Sequence, residues 1–305
     1  MVSRRAFLAG VGALAGPAFG AEPKVYLDYT ATALDQALDQ QRYAPNWLDI
    51  VKELGRRSDA AIKAAPPVTQ AYGDDPDEAL DIYGAGKLPN APVLLFIHGG
   101  GWRMMDKKDL AYAAQTFVSA GILFVSVGYS LIAKAPVRTM ATQCSRAVAW
   151  MHENAGRFGG NPDSLHLSGQ SAGAHLAGVV IADPELIKTG ALKSATLISG
   201  IYDTAALAAS SVYGYTNLSP EDVTALSPSR YAGRIGCPAT VVWAAKEPPE
   251  FKRQSVEFVR LLQAAGRPCR GLEVPDRTHF ELAFDLAEPG SALSRAALAT
   301  IAENV

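Results

Sequence analysis

The chain has 305 residues, of which 49% are hydrophobic and 19% are charged, a composition typical of a globular protein with one large α/β domain or two small domains. The formal net charge of −2 gives no reason to expect nucleic acid or an anionic membrane surface as a partner. The sequence contains no internal repeat and no low-complexity tract, so a repeat architecture is not expected.

The N-terminus has the pattern of an export signal. The pair Arg4-Arg5 precedes an apolar, Gly- and Ala-rich run over residues 8–18, which is too short and too weakly hydrophobic for a membrane-spanning helix. We therefore predict a twin-arginine signal over residues 1–20, cleaved after Gly20 or Ala21. The mature protein is then periplasmic or secreted, without stable membrane insertion, and a retained N-terminal anchor is the alternative.

Residues 21–66 are polar and helix-prone, and we predict that they form an N-terminal helical arm or partial cap. Two helical pieces are expected at residues 34–41 and 49–54, separated by Tyr43-Ala44-Pro45-Asn46. The larger domain is expected to cover residues 67–305.

The larger domain begins with two β-prone segments and then alternates apolar strands with helices, which is typical of a mostly parallel sheet covered on both faces. Residues 68–72 and 79–83 are predicted to form an antiparallel pair at one sheet edge. The predicted fold is therefore a doubly wound, mostly parallel, eight-stranded sheet with helices on both faces. The six further strands are expected at residues 93–97, 122–127, 165–168, 195–199, 240–244 and 271–274, and helices near residues 107–120, 136–154, 172–182, 250–265 and 291–302.

The longest stretch between predicted strands, residues 203–234, contains one plausible helix start at Ser219-Pro220. It is too short for a full lid domain. We therefore expect relatively open access to the candidate nucleophile described below, Ser171.

A glycine-rich motif, His98-Gly99-Gly100-Gly101-Trp102, directly follows the first predicted parallel strand. Fixed backbone N–H groups can stabilise the negative charge that develops on a carbonyl oxygen during acyl transfer, and this motif accompanies a serine nucleophile in known hydrolases. We predict an oxyanion hole formed by the N–H groups of Gly100, Gly101 and Ala172. A purely structural glycine turn is the alternative.

The segment Gly169-Gln170-Ser171-Ala172-Gly173 matches the G-x-S-x-G pattern of a nucleophile elbow, and it lies between a predicted strand and a predicted helix. The turn must be sharp, and the glycines on either side of Ser171 remove Cβ atoms that would clash. We therefore predict that Ser171 is a catalytic nucleophile, although a Gly-Ser turn can fit the pattern by chance.

A serine hydroxyl needs a base within hydrogen-bond reach and an acid that orients this base. The fold predicts the chain order serine, acid, histidine. His279 is the only histidine late in the chain and follows the last predicted strand, so it is the predicted base. His152, His166 and His175 lie within predicted helices or strands and are expected to be structural.

The acid is expected in the loop after the predicted strand 240–244, where Glu247 and Glu250 both lie. We predict Glu247 because it is nearer the strand end, whereas Glu250 suits the first turn of the following helix. Asp276, close in sequence to His279, is a third candidate.

Three cysteines, Cys144, Cys237 and Cys269, are too few for a disulfide framework and lack metal-site spacing. Export would permit one bridge between Cys237 and Cys269, but free buried thiols are the preferred interpretation. The chemistry predicted for Ser171 requires no metal or organic cofactor. The sequence gives no indication of the oligomeric state.

Six segments carry a resemblance to a known family: Asp81-Ile82-Tyr83, the HGGGW motif, Gly128-Tyr129-Ser130, residues 169–176, residues 199–203 and residues 249–255. From about residue 27 to its end, the chain resembles the kynurenine formamidase (arylformamidase) and bacterial feruloyl-esterase-like branch of the α/β-hydrolases, near the hormone-sensitive-lipase group. In this family the acid stands shortly before a Pro-Glu-Phe-like triplet, which implies Glu247 here, although the family often has Asp.

The resemblance implies two substrate classes for one mechanism. An esterase would form an acyl-serine from small or aromatic carboxylic esters, whereas an arylformamidase would remove the formyl group of N-formylkynurenine. The predicted export favours ester hydrolysis, because N-formylkynurenine belongs to cytoplasmic tryptophan breakdown. HGGGW in place of the formamidase-like HGG-aromatic-W favours the same choice.

Three aromatic residues, Trp102, Tyr213 and Tyr215, are predicted to bind substrate near Ser171, with ordinary packing as the alternative. The small-molecule ester is the only partner that the sequence suggests. A catalytically inactive binding protein on the same scaffold is a remote alternative, since both the serine and the histidine are present.

Overall fold

The computed structural model describes residues 22–305. The predicted twin-arginine signal over residues 1–20 and its cleavage site lie outside the described residues. Within residues 22–305, no helix is both long enough and apolar enough to cross a membrane.

One large sheet organises the described chain. Two short strands, β1 (Lys24–Tyr26) and β2 (Tyr29–Thr30), form a separate hairpin that the sequence did not predict. The large sheet consists of β3 (Val68–Ala71), β4 (Ala79–Tyr83), β5 (Ala91–Ile97), β6 (Leu123–Val127), β7 (Gly160–Gln170), β8 (Leu192–Ile198), β9 (Ala239–Ala244) and β10 (Cys269–Val274).

The strand order across the large sheet is β3-β4-β6-β5-β7-β8-β9-β10. Strand β4 runs antiparallel to both of its neighbours, and the other neighbouring pairs are parallel. The predicted antiparallel pair at the sheet edge is therefore confirmed, as is the predicted eight-stranded, mostly parallel sheet. This is the α/β-hydrolase arrangement that the sequence predicted.

Helices connect the strands and cover both faces of the sheet. They are α1 (Ala31–Leu38), α2 (Gln40–Tyr43), α3 (Trp47–Ala64), α4 (Ala111–Ser119), α5 (Val137–Asn154), α6 (Ala172–Val180), α7 (Pro184–Thr189), α8 (Ala205–Ala209), α9 (Pro220–Ala225), α10 (Pro249–Ala264) and α11 (Ala292–Ala302). The short helices α7 and α8 were not predicted. The predicted helix at residues 107–120 is divided into a 3₁₀ turn (Lys107–Leu110) followed by α4.

Alternating side chains of the buried strands supply two separate cores. In β5, Val93, Leu95 and Ile97 pack with residues of α1, α5, α6 and α10. Leu94 and Phe96 of the same strand pack on the other face with residues of α3, α4 and α11. A strand that is apolar at every position is thus explained by burial on both faces.

The N-terminal arm (residues 22–66) packs on the larger domain instead of standing apart. Tyr26 donates a hydrogen bond from its hydroxyl to Asp203 (3.0 Å), and Ser58 of α3 donates to the backbone carbonyl of Asp109 (2.8 Å). The predicted helix at residues 34–41 is interrupted at Asp39, which separates α1 from α2. The boundary proposed between residues 66 and 67 stays a prediction.

Candidate active site

The carboxyl ends of the two central strands β5 and β7 lie side by side. Ile97 of β5 is paired in register with Gly169 of β7. The chain continues from β5 to β6 on one side and from β7 to β8 on the other, so the crevice between them is a topological switch point of the sheet. The glycine-rich loop and the predicted elbow therefore meet at one place.

Ser171 has the backbone conformation of a strained elbow, with φ 57° and ψ −120°. Its N–H donates to the carbonyl of Ile198 (2.8 Å), which fixes the turn to the neighbouring strand. A Cβ atom on Gly173 would lie 2.1 Å from the carbonyl oxygen of Ile97, and one on Gly169 would lie 2.3 Å from the carbonyl oxygen of Gly173. The two glycines of the motif are thus required by close backbone contacts.

The glycine-rich loop after β5 has left-handed backbone at Gly100 (φ 99°) and Gly101 (φ 58°). Within residues 22–305, the N–H groups of these two glycines donate to no other group of the chain. Both residues border the same cavity as Ser171, and Ala172 is the first residue of α6. The structure therefore brings the predicted oxyanion-hole residues together beside the predicted nucleophile.

His98 holds the start of this loop. Its ring stacks on Tyr129 with centroids 4.2 Å apart, and the Tyr129 hydroxyl donates to the carbonyl of His98 (2.8 Å). Burial lowers the pKa of His98 from 6.5 to about 4, so the ring is neutral near pH 7. This contact gives a structural reason for the Gly128-Tyr129-Ser130 segment noted in the sequence.

The loops after β9 and β10 bring the predicted acid to the predicted base. Backbone hydrogen bonds from Ala245 to Val274 and from Lys246 to Arg277, both 2.9 Å, join the two loops. His279 then donates from Nδ1 to Oε2 of Glu247 over 2.9 Å. Both residues are buried, each with a relative exposure of 2%.

The other two candidate acids do not contact His279. Glu250 is fully buried and forms a two-point ion pair with Arg253, at 2.7 and 2.8 Å, whose guanidinium also donates to the Tyr26 hydroxyl (2.9 Å). Glu250 therefore belongs to a structural network that reaches the N-terminal arm. Asp276 is exposed and pairs with Lys246 (3.1 Å).

The ring of His279 packs against two aromatic side chains, and two glutamines hydrogen-bond to His279, one at its backbone and one at its ring. Phe251 and Phe280 present edges to it, with centroids 4.9 and 5.3 Å away. Gln170, the variable residue before Ser171, donates from Nε2 to the carbonyl of His279 (3.2 Å). Gln40 of the N-terminal arm places its Nε2 2.9 Å from Nε2 of His279.

Sequence reasoning missed both glutamines. Gln170 could have been recognised, because it is adjacent to Ser171 within the elbow motif and therefore near the loop that carries His279. Gln40 could not have been recognised from a single sequence, because it is separated from His279 by 239 positions and belongs to no recognised motif.

A cavity of about 110 Å³ lies above Ser171. Its lining includes Tyr213 and Tyr215 together with residues of the N-terminal arm, such as Gln40 and Trp47. The N-terminal arm, predicted as an arm or partial cap, thus contributes residues to the cavity lining. Relatively open access to Ser171 stays a prediction.

Trp102, the third aromatic residue predicted to bind substrate, does not line this cavity. A left-handed turn at Trp102 (φ 59°) buries the indole to 2% exposure, where it packs edge-on against His175 and Tyr213. The structure therefore gives Trp102 a packing position behind the cavity. The next residue, Arg103, lies at the cavity instead and stacks over Tyr215, 4.4 Å from the ring centroid.

The remaining histidines have structural partners. His166 contacts the hydroxyls of Ser194 (2.8 Å) and Ser164 (3.2 Å), and His175 contacts the carbonyl of Leu226 (2.8 Å). Burial lowers the pKa of both rings to about 4. His152 contacts the carbonyl of Pro162 (3.0 Å).

The three cysteines are free thiols, although β9 and β10 are parallel neighbours as the bridge hypothesis required. Cys144 and Cys237 are buried and Cys269 is partly exposed. Among residues 22–305, no group of three or more His, Cys, Asp or Glu side chains is placed to hold a metal ion.

The fold, the elbow at Ser171 and the adjacent glycine loop define an α/β-hydrolase. The BD-FAE family model matches residues 80–248, which is more than half of the chain. The chain belongs to this family, and the protein is a hydrolase.

Two curated proteins illustrate the range of its relatives. The chain is 30% identical to kynurenine formamidase of Danio rerio over 241 residues, which cover 76% of this chain and 81% of that protein. It is also 30% identical to esterase LipQ of Mycobacterium tuberculosis, over 65% of this chain and 51% of that protein.

Solved structures of esterases share the fold. An esterase from Pyrobaculum calidifontis superposes with a TM-score of 0.65 at 17% identity, covering 87% of this chain and 97% of that one. A thermostable carboxylesterase cloned from a metagenomic library gives a TM-score of 0.66 at 21% identity, covering 84% and 96%.

Proposed function

We propose that the protein is a serine carboxylic-ester hydrolase that acts on small or aromatic esters through an acyl-serine intermediate. The observation that carries this proposal is that one cavity is bordered by Ser171, by His279, which donates to Glu247, and by two glycines whose N–H groups donate to no group among residues 22–305, Gly100 and Gly101.

The proposed mechanism assigns a task to each group. His279, held in one tautomer by Glu247, accepts the proton of the Ser171 hydroxyl on its Nε2 as the serine oxygen attacks the ester carbonyl. The N–H groups of Gly100, Gly101 and Ala172 stabilise the oxyanion. His279 then protonates the departing alcohol, and water activated by the same ring releases the acid from the acyl-serine.

Arylformamidase activity is the second candidate, and the similarity to kynurenine formamidase of Danio rerio supports it. The residue at position 101 distinguishes this chain from the formamidase-like motif. An aromatic side chain there, as in the formamidase-like motif, would require left-handed backbone (φ 58°) and would start 3.0 Å from the Tyr215 hydroxyl. Gly101 therefore leaves room for Tyr215 beside the oxyanion hole.

The substrate class can be tested by measuring rates side by side on p-nitrophenyl acetate and butyrate, on methyl ferulate and on N-formylkynurenine, with Ser171→Ala as the control. The proposal predicts preference for esters, lost in the control. Preference for the formamide would overturn the ester assignment and leave the serine mechanism intact.

We further propose that the protein is exported through the twin-arginine route, on the support of Arg4-Arg5 and the apolar run at residues 8–18. N-terminal sequencing of protein recovered from the periplasm or medium is expected to begin at residue 21 or 22. An Arg4→Lys, Arg5→Lys double variant is expected to remain unprocessed in the cytoplasm. Export of that variant at the normal level would contradict the route.

A further inference from the structure

The side-chain amide of Gln40 lies against the ring nitrogen that the proposed mechanism uses to move a proton. Nδ1 of His279 donates to Glu247, so Nε2 is the acceptor nitrogen of the neutral ring. Gln40 donates from its Nε2 to this nitrogen over 2.9 Å. Gln40, Ser171 and His279 border the same cavity.

The local fold of the N-terminal arm produces this contact. Helix α1 stops at Leu38, and the side chain of Asp39 accepts the N–H of Gln41 (3.0 Å) to start α2. On the far side of α1, Asp35 accepts hydrogen bonds from the Ser210 hydroxyl (2.6 Å) and the Ser211 N–H (2.9 Å). The segment that carries Gln40 is thus fixed both by its helix break and by the loop that leads to Tyr213.

We propose that Gln40 binds the leaving group of the substrate, an inference that rests on the proposed acyl-serine mechanism. When the tetrahedral intermediate collapses, the bond between the carbonyl carbon and the leaving oxygen breaks, and His279 transfers its Nε2 proton to that oxygen. The acyl group stays on Ser171. A leaving oxygen within hydrogen-bond distance of Nε2 is therefore within reach of the amide that contacts Nε2 in the free enzyme.

In this role, Gln40 exchanges one partner for another. Nε2 has a single lone pair, so the Gln40 amide must leave it before His279 accepts the serine proton. Once Nε2 is protonated it is no longer an acceptor, and the Gln40 amide N–H donates to the leaving oxygen instead. No proton is transferred from Gln40. The hydrogen bond strengthens as negative charge develops on that oxygen, so it stabilises the transition state more than the bound ester.

The hydrogen bond from Gln40 should raise the rate most for esters of aliphatic alcohols. An alkoxide is a poor leaving group and needs help from acid catalysis and hydrogen bonding, whereas p-nitrophenolate departs with little help. Gln40 in this role raises the rate on alkyl esters more than the rate on activated aryl esters, beyond the general esterase chemistry of Ser171 and His279.

The test compares kcat/KM on ethyl acetate and p-nitrophenyl acetate, which share one acyl-enzyme. Because kcat/KM ends with departure of the leaving group, the common deacylation step does not enter the comparison. Gln40→Ala and the similarly long but apolar Gln40→Met are each expected to lose about tenfold on ethyl acetate and less than about twofold on p-nitrophenyl acetate. Gln36→Ala, an exposed glutamine on α1, is the matched control and should change neither rate.

Three results would overturn the role of Gln40. Equal losses on both esters would show that Gln40 only positions His279, equal gains would show that it obstructs the base, and unchanged rates would show that the contact is only packing. Wild-type protein that hydrolyses neither ester would refute the proposed function itself. Thermal unfolding of each variant identifies any that has lost its fold.

Discussion

His279 donates from Nδ1 to Oε2 of Glu247 over 2.9 Å, across 32 positions of the chain. This bond needs two loops from neighbouring strands to be joined by their backbones, and the second oxygen of Glu247 is held by the N–H of Ala244 (3.3 Å). Both carboxylate oxygens of Glu247 therefore accept a hydrogen bond, one from the backbone and one from the ring of His279. In the proposed mechanism this arrangement sets the tautomer of His279.

Substitution of Glu247 should affect the catalytic rate, whereas substitution of Glu250 should affect the stability of the fold. Glu247→Gln is expected to lower kcat by about 10³-fold, because the amide no longer sets the tautomer of His279. Glu250→Gln should retain kcat but lower the free energy of unfolding by about 2 kcal/mol, because Arg253 loses its buried partner. Steady-state rates and urea unfolding of both variants check this. A greater loss of rate in Glu250→Gln would show that the acid is misassigned.

The losses of kcat caused by removing the nucleophile and the base should not add up in the double variant. Ser171→Ala and His279→Ala are each expected to lower kcat by about 10⁵-fold or more, and the double variant should lose little beyond either one, because these groups act as a unit. Rates on p-nitrophenyl acetate, measured to the limit of the uncatalysed reaction, provide the test. Independent losses that multiply in the double variant would argue against a shared mechanism.

The hydrogen bond from Tyr129 to His98 should help to position the glycine-rich loop that forms the proposed oxyanion hole. Tyr129→Phe removes the hydrogen bond to the His98 carbonyl and is expected to lower kcat several-fold with little change in KM, since the loop serves the transition state. The cost in unfolding free energy should be about 1 kcal/mol.

Tyr83→Phe is the matched control for that variant. The Tyr83 hydroxyl is buried and has no hydrogen-bond partner among residues 22–305, so its removal should cost neither rate nor stability. A similar fall in kcat for both variants would show that the effect comes from general loosening of the core.

Three buried histidines should make the protein acid-sensitive. Burial lowers the pKa of His98, His166 and His175 from 6.5 to about 4, so the unfolded chain binds more protons between these values. Stability should therefore fall as pH decreases from about 6.5 to about 4, with a limiting slope near 4 kcal/mol per pH unit for three protons. Urea unfolding at several pH values measures this slope. Stability that stays level or rises on acidification would contradict it.

The sequence predicted the sheet and its central motifs because these depend on local patterns. Strands alternating with helices, and glycines around Ser171, reflect contacts that neighbouring residues impose. The choice of Glu247 over Glu250 followed from distance to a strand end, and the structure places Glu247 beside His279. That assignment of a catalytic role stays a prediction.

Contacts between residues far apart in the chain could not be predicted from the sequence. The approach of Gln40 to His279 depends on a helix break at Asp39 and on docking of the whole arm, neither of which a periodic pattern reveals. Trp102 was expected at the substrate, but a left-handed turn directs its ring into the core and brings Arg103 to the cavity. The backbone conformation of Trp102 thus determines that Arg103, and not Trp102, borders the cavity.

The most direct test of the proposed mechanism is covalent labelling with a fluorophosphonate, followed by peptide mass spectrometry. We expect one phosphonyl group per chain, located on Ser171, with esterase activity lost in proportion to labelling and no label on Ser171→Ala. Esterase activity that survives complete labelling, or a label on a different residue, would contradict the assignment of Ser171 as the nucleophile.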